Sequence, residues 1–218
     1  MPGAIFDLDG TLLDSNGLWA QVDDIFLSRH GLKKDADYIR AVTQMEYHAS
    51  AAYVAWKYKL DLTPDEVIGE WEALSLEAYQ TSVPLKEGAR EAVTRLAAAG
   101  YRLALVTLSP PLLYEAALGR HGLLDYFYLA MTVPGDYAEG KDPALFAHVC
   151  DQLALQPVDC LGFEDDLKAL SSMAALGIRA YAVADRRNLA LRDQYASAGF
   201  MQRDWAAILA DIDNYKLI

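Results

Sequence analysis

The chain is short of cysteine, of basic residues and of long apolar stretches, and each shortage removes a class of protein. Only Cys150 and Cys160 occur in 218 residues, too few for a disulfide framework or a cysteine metal cluster. They read as small buried hydrophobes in a reducing compartment. Lys and Arg number 19 against 31 Asp and Glu, a formal net charge of −12, so no nucleic-acid or anionic-membrane partner is expected. No apolar run approaches the roughly 20 residues of a membrane span. Internal repeats, low-complexity tracts and Ser/Gly linkers are missing as well. The first residues run into an apolar strand with neither a basic leader nor an apolar signal core, which sets the expectation of a cytoplasmic protein. Monomer and homodimer both stay open.

What is present is ordinary for a soluble globular chain, 53% hydrophobic and 23% charged, and long enough for one large domain or two modest ones. Residues 16–82 hold few strand patterns. Trp19, Val22, Ile25 and Phe26 recur at helical spacing, Tyr47 to Tyr58 repeats the pattern, and Thr63-Pro64-Asp65-Glu66 spells a capping box opening a helix toward Thr81. After Pro84 the chain alternates. Helical stretches (Glu87–Ala99, Ser109–His121, Asp142–Leu153, Leu167–Leu176) interleave with apolar strands (Arg102–Thr107, Tyr128–Val133, Val158–Phe163, Ile178–Val183). Helices near 188–196 and 204–213 close the chain. This alternation predicts a doubly wound parallel sheet in an α/β core built from 1–15 and 83–218. Residues 16–82, too long for an ordinary crossover, read as an inserted helical cap domain.

One stretch organises the rest. Ala4-Ile5-Phe6 reads as a buried strand that breaks into a turn carrying Asp7 and Asp9, with Gly10 letting the chain turn away. The carboxyl end of a strand in an open α/β sheet is where ligands bind. Two carboxylates so close repel unless a cation lies between them or one keeps its proton. They suit a hard divalent metal, or a nucleophile beside an acid/base. A calcium loop of the EF-hand type fails on spacing, since Leu12 and Leu18 stand where Gly and Glu are required.

Phe6-Asp7-Leu8-Asp9-Gly10-Thr11-Leu12-Leu13-Asp14-Ser15 resembles the first signature of the haloacid dehalogenase-like hydrolases, most of which are phosphatases. The resemblance implies that Asp7 is a nucleophile forming an aspartyl-phosphate and Asp9 the general acid/base. Three later stretches continue it in order. Leu103 to Pro110 is an apolar strand ending in hydroxyls before a helix N-terminus, a place suited to phosphate, although Ser before Pro is also a standard N-cap. It resembles the second signature, which makes Thr107, Leu108 and Ser109 candidate phosphate contacts. Lys141 matches the third-signature lysine, which holds the transferring phosphoryl group and pairs with the nucleophile; the spacing Lys141-Asp142-Pro143 is one residue shorter than the usual pattern. The stretch Gly135–Lys141 nearly spells a P-loop. Asp142 stands where Ser or Thr should hold magnesium, and Asp136 and Glu139 would repel a triphosphate.

Gly162-Phe163-Glu164-Asp165-Asp166 places three acids after an apolar strand and resembles the fourth signature, with Asp166 at the usual Ser. By that match Asp165 is a direct magnesium ligand and Glu164 supports it through water. The implied Mg2+ shell is Asp7, the Asp9 backbone carbonyl and Asp165, with waters and a phosphate oxygen. Asp166 adds a charge that could replace or perturb a ligand.

The reading at this level is a magnesium-dependent phosphatase acting on a small phosphorylated metabolite, of the sugar phosphate or phosphoglycolate type. A phosphosugar mutase of the β-phosphoglucomutase kind is the alternative. It is disfavoured because Ala41–His48, where mutase caps are implied to carry a basic residue, contains none, Arg40 lying at its edge. A catalytically idle binding protein on the same scaffold would lack the nucleophile or the lysine, and both are present.

Overall fold

The computed structural model describes residues 1–42, 45, 47–133 and 140–214; the side chains of Trp19, Tyr47 and Arg187 lie outside that description. The near-P-loop stretch at 135–139 and three residues of the segment 41–48 (43, 44 and 46) are likewise outside the described residues. Two compact units emerge, one from residues 1–16 and 83–218, the other from 17–82. Among the described residues no helix is long and apolar enough to cross a membrane.

The 17–82 unit is all helical in its regular elements: α1 (Leu18–Arg29), α2 (Ala36–Val42), α3 (Tyr47–Tyr58) and α4 (Pro64–Thr81). The start of α4 is fixed by its sequence. Thr63 Oγ1 accepts from the Glu66 N–H, the Glu66 carboxylate accepts from the Thr63 N–H, and Pro64 occupies the first helical position. Buried Val67, Trp71 and Leu74 give α4 its inner face, and Phe26 of α1 meets the edge of Trp71 with ring centroids 5.9 Å apart.

The other unit is a five-stranded, wholly parallel sheet of β1 (Gly3–Phe6), β2 (Arg102–Thr107), β3 (Phe127–Thr132), β4 (Cys160–Glu164) and β5 (Arg179–Ala182), in the order β3-β2-β1-β4-β5. Its helices are α5 (Ala89–Ala98), α6 (Pro111–Arg120), α7 (Pro143–Leu153), α8 (Leu167–Ala175), the short α9 (Arg186–Leu189) and α10 (Arg192–Ser197), and α11 (Trp205–Asn214). Alternation along the strands divides the core in two. Ile5, Ala104 and Val106 pack with Phe146, Val149 and Cys150 of α7 and Met173 of α8. Toward the opposite face, Phe6 stacks on Phe163 at 4.7 Å, and both lie against Trp205 of α11, at 6.0 and 5.1 Å. Trp205 approaches so closely that Gly88, at φ +81°, has no room for a side chain: a Cβ there would fall 2.7 Å from that of Trp205. The three central strands, β2, β1 and β4, are buried on both sides, which is why they read as continuous apolar runs.

Of the elements whose bounds differ from their sequence-based positions, three bear on the site or its surroundings. The strand expected from Val158 begins at Cys160, because Pro157–Asp159 forms a 3-10 turn. The helix expected from Ser109 starts at Pro111 with Pro110 at the cap, and the Ser109 side chain points elsewhere. The single helix expected at 188–196 is two short ones, α9 and α10.

Candidate active site

The chain passes from β1 to β2 to β3 on one side of the sheet and then returns to place β4 and β5 on the other. The order therefore reverses between β1 and β4, and a crevice opens beyond their carboxyl ends. Phe6 is level with Phe163, and the Asp7 N–H extends the ladder one step by donating to the Phe163 carbonyl at 3.0 Å. Asp7 thus leaves β1 beside Glu164 and Asp165 leaving β4. The turn that follows is closed by the Leu8 carbonyl, which accepts from the N–H groups of Leu12 and Leu13 at 2.9 Å. Gly10 sits in this turn at φ +86°, and a Cβ on it would collide with Asp165 Oδ2. Glycine serves the turn and the close approach of the second carboxylate together.

Asp7, Glu164 and Asp165 line a cavity of about 310 Å3 with Asp9, Thr107, Leu108 and Lys141. Ser109 adjoins it through its hydroxyl, which donates to Asp9 Oδ2 at 2.6 Å, while Ser15 donates to Asp9 Oδ1 at 2.7 Å. Thr107 Oγ1 accepts from the Ser109 N–H at 3.0 Å. The Lys141 ammonium, almost fully buried, donates to Asp7 Oδ1 and to Glu164 Oε1. Glu164 uses its other oxygen to accept from the Asp166 N–H at 2.8 Å, so it holds the lysine and the turn at once. Asp166, whose role the sequence left open, has Oδ1 accepting from the Ala169 N–H as the N-cap of α8.

The charges do not balance inside this cavity. Burial, opposed by Lys141 but reinforced by Glu164, Asp165 and Asp9, raises the Asp7 carboxyl well above its usual range. Burial pulls the Lys141 ammonium down, but Asp7 and Glu164 outweigh it, and its pKa is raised. Oxygens of Asp7, Glu164 and Asp165 lie within 4.8 Å of one another, and Asp7 Oδ2 is buried with no hydrogen-bond partner. An unpartnered carboxylate oxygen among three buried acids fits a hard cation that takes oxygen ligands.

Two further side chains reach this centre with no local sign in the sequence. Tyr195 Oη and Asn188 Nδ2 donate to the Asp165 backbone carbonyl, at 2.5 and 3.1 Å. They lie 30 and 23 positions downstream in short helices without a recognisable pattern. Burial, followed by the charges of Asp166, Asp165 and Glu164, pushes the Tyr195 phenol up to about 12, so the hydroxyl keeps the proton it donates.

A doubly wound parallel sheet with clustered acids and one buried ammonium at its switch point is the framework of an α/β enzyme. Comparison with known proteins makes this specific: residues 1–177 match the family described as haloacid dehalogenase-like hydrolase. Phosphoglycolate phosphatase 1 of Pseudomonas aeruginosa is 31% identical over 195 residues, covering 82% of this chain and 68% of that protein. Hexitol phosphatase B of Escherichia coli K12 is 27% identical over 190 residues, covering 83% and 82%. In structure, a candidate β-phosphoglucomutase from Thermotoga maritima superposes with a TM-score of 0.82 at 21% identity, over 98% of this chain and 99% of that one. The chain belongs to the haloacid dehalogenase-like hydrolases, as its four signature stretches imply; it is an enzyme of that family, and the two curated relatives just named are phosphatases.

Proposed function

We propose that the protein is a magnesium-dependent phosphatase that hydrolyses a small phosphorylated metabolite, of the phosphoglycolate or sugar phosphate type, through an aspartyl-phosphate. The observation that carries this reading is Asp7, which has one oxygen held by Lys141 and the other uncommitted inside a cavity large enough for a phosphoryl group. Its phosphatase relatives support the substrate class.

Asp7, the Asp9 carbonyl and Asp165, with Glu164 behind them, would hold the magnesium ion. When bound, the ion supplies positive charge against the phosphoryl oxygens and keeps Asp7 ionised despite its burial. The Asp7 carboxylate attacks phosphorus; as that O–P bond forms, the bond to the leaving oxygen breaks and its electron pair takes the proton carried by Asp9. Asp9 then removes a proton from water, whose oxygen attacks phosphorus, releasing phosphate and restoring the Asp7 carboxylate. Lys141 stays charged throughout and, with the Thr107 hydroxyl and the Leu108 backbone, holds the phosphoryl group. Ser109 and Ser15 fix the direction in which Asp9 delivers its proton. Residues 16–82 act as the cap that chooses the leaving group.

The test is phosphate release from a panel of phosphoglycolate, hexitol and sugar phosphates and nucleoside monophosphates with magnesium. Turnover by the native chain and none by a folded Asp7→Asn variant are expected. Unaltered release by that variant, or interconversion of glucose phosphate isomers outpacing release, overturns the assignment.

A further inference from the structure

The family match ends at residue 177, yet the fold carries the chain back under the acid cluster through residues 183–202. The Asp165 carbonyl accepts from two buried side chains there, Tyr195 and Asn188, which are 2% and 3% exposed. Asn188 is itself held at both side-chain amide atoms and at its carbonyl. Its Nδ2 also donates to the Val183 carbonyl at 2.8 Å, its Oδ1 accepts from the Asp185 N–H at 2.9 Å, and its backbone carbonyl accepts from Gln202 Nε2. The turn it braces is pinned from outside by Lys86, which donates to the Ala184 carbonyl at 2.6 Å and pairs with the buried Asp185 at 2.8 Å. The Asp165 carboxylate itself lies so close to Gly10 that a Cβ built there would fall 2.2 Å from Oδ2.

A peptide unit clamped at its carbonyl and hemmed at its side chain has little freedom to swing, and a carboxylate pre-set in one orientation binds a cation without first being ordered. We infer that Tyr195 and Asn188 are positioning residues that orient the Asp165 carboxylate and thereby set the protein's affinity for a divalent cation. The inference rests on the reading of Asp165 as a metal ligand. Both donors act on the backbone carbonyl of Asp165 and neither lines the cavity, so they bear on the carboxylate only through its peptide unit.

Tyr195→Phe is the sharpest perturbation. It removes one hydroxyl, keeps the ring, and leaves the Asp165 carbonyl paired with Asn188. Calorimetric titration of metal-free protein with Mg2+, and with Mn2+ followed by electron paramagnetic resonance, measures affinity without turnover. Loss of one hydrogen bond predicts binding weaker by about five-fold. The magnesium concentration for half-maximal phosphate release should rise by the same factor, with the rate at saturating magnesium restored. Asn188→Ala should weaken binding further, and because the two donors share an acceptor, their effects should not add. A Tyr195→Phe protein that melts at a lower temperature but binds Mg2+ as the native chain does overturns the inference, since a merely structural hydroxyl would behave so. If the native chain itself binds no divalent cation, the ligand reading of Asp165 falls instead, and the inference falls with it.

Discussion

The acid cluster predicts that the metal-free enzyme is destabilised by its own nucleophile. In the Asp7→Asn variant the Lys141–Glu164 pair remains and an amide replaces the carboxylate. At separations of no more than 4.8 Å and an effective dielectric constant of about 20, each repulsion of an ionised Asp7 by Glu164 or Asp165 costs at least about 3.5 kcal/mol. The attraction to the Lys141 ammonium, at a hydrogen-bonding separation of about 3 Å, returns about 5.5 kcal/mol. The two repulsions exceed the attraction by at least about 1.5 kcal/mol, and the burial of the charge acts in the same direction. Removing the charge should therefore stabilise metal-free protein by about 2 kcal/mol, a rise in Tm of about 4–8 °C for a chain of this size. The assay is thermal unfolding in EDTA at several pH values. Because the folded-state pKa of Asp7 is raised, its favourable contribution is complete below the unfolded value of 3.8 and is lost as pH rises through the folded value. The advantage of the asparagine variant should accordingly be larger at pH 8 than at pH 5. Excess magnesium should invert the order, since an ion at 100 times its Kd stabilises the native chain by about 2.7 kcal/mol. An Asp7→Asn protein that melts at or below the native temperature in EDTA at pH 8 refutes the picture of uncompensated buried charge.

Two further outcomes test the scaffold. Gly10→Ala should lower stability by about 1–3 kcal/mol, from a left-handed residue carrying a Cβ and from displacement of Asp165, and should weaken Mg2+ binding; unchanged melting and titration would contradict the close packing at this turn. Thr63→Ala removes one half of the α4 capping box and should cost about 1 kcal/mol, read as an earlier unfolding transition, with phosphate release at low temperature unaffected.

Sequence alone determined the parts that depend on local pattern. Continuous apolar runs announced strands buried on both faces. Thr63, Pro64 and Glu66 announced the start of α4. The residue types and order of four signature stretches announced the family. Asp7, Asp9, Thr107, Lys141, Glu164 and Asp165 were named by their match to those signatures, and the fold brings all six to one cavity.

What the tertiary structure decided is everything that depends on contacts between stretches far apart in the chain. Ser109 reads locally as a helix cap, but the fold brings Asp9, a hundred positions earlier, within reach of its hydroxyl. The sequence left the role of Asp166 open, and the start of α8 claims its side chain as a cap. Gly10 reads as a turn residue, and only the arrival of Asp165 makes its missing Cβ a requirement of the site. Tyr195 and Asn188 carry no local signal at all, because a hydrogen bond to a backbone carbonyl leaves no mark on the residues around its donor. Periodicity and capping are short-range and are written in neighbouring residues. The direction of a side chain at the crevice is set by which strands lie side by side, and only the folded chain settles that.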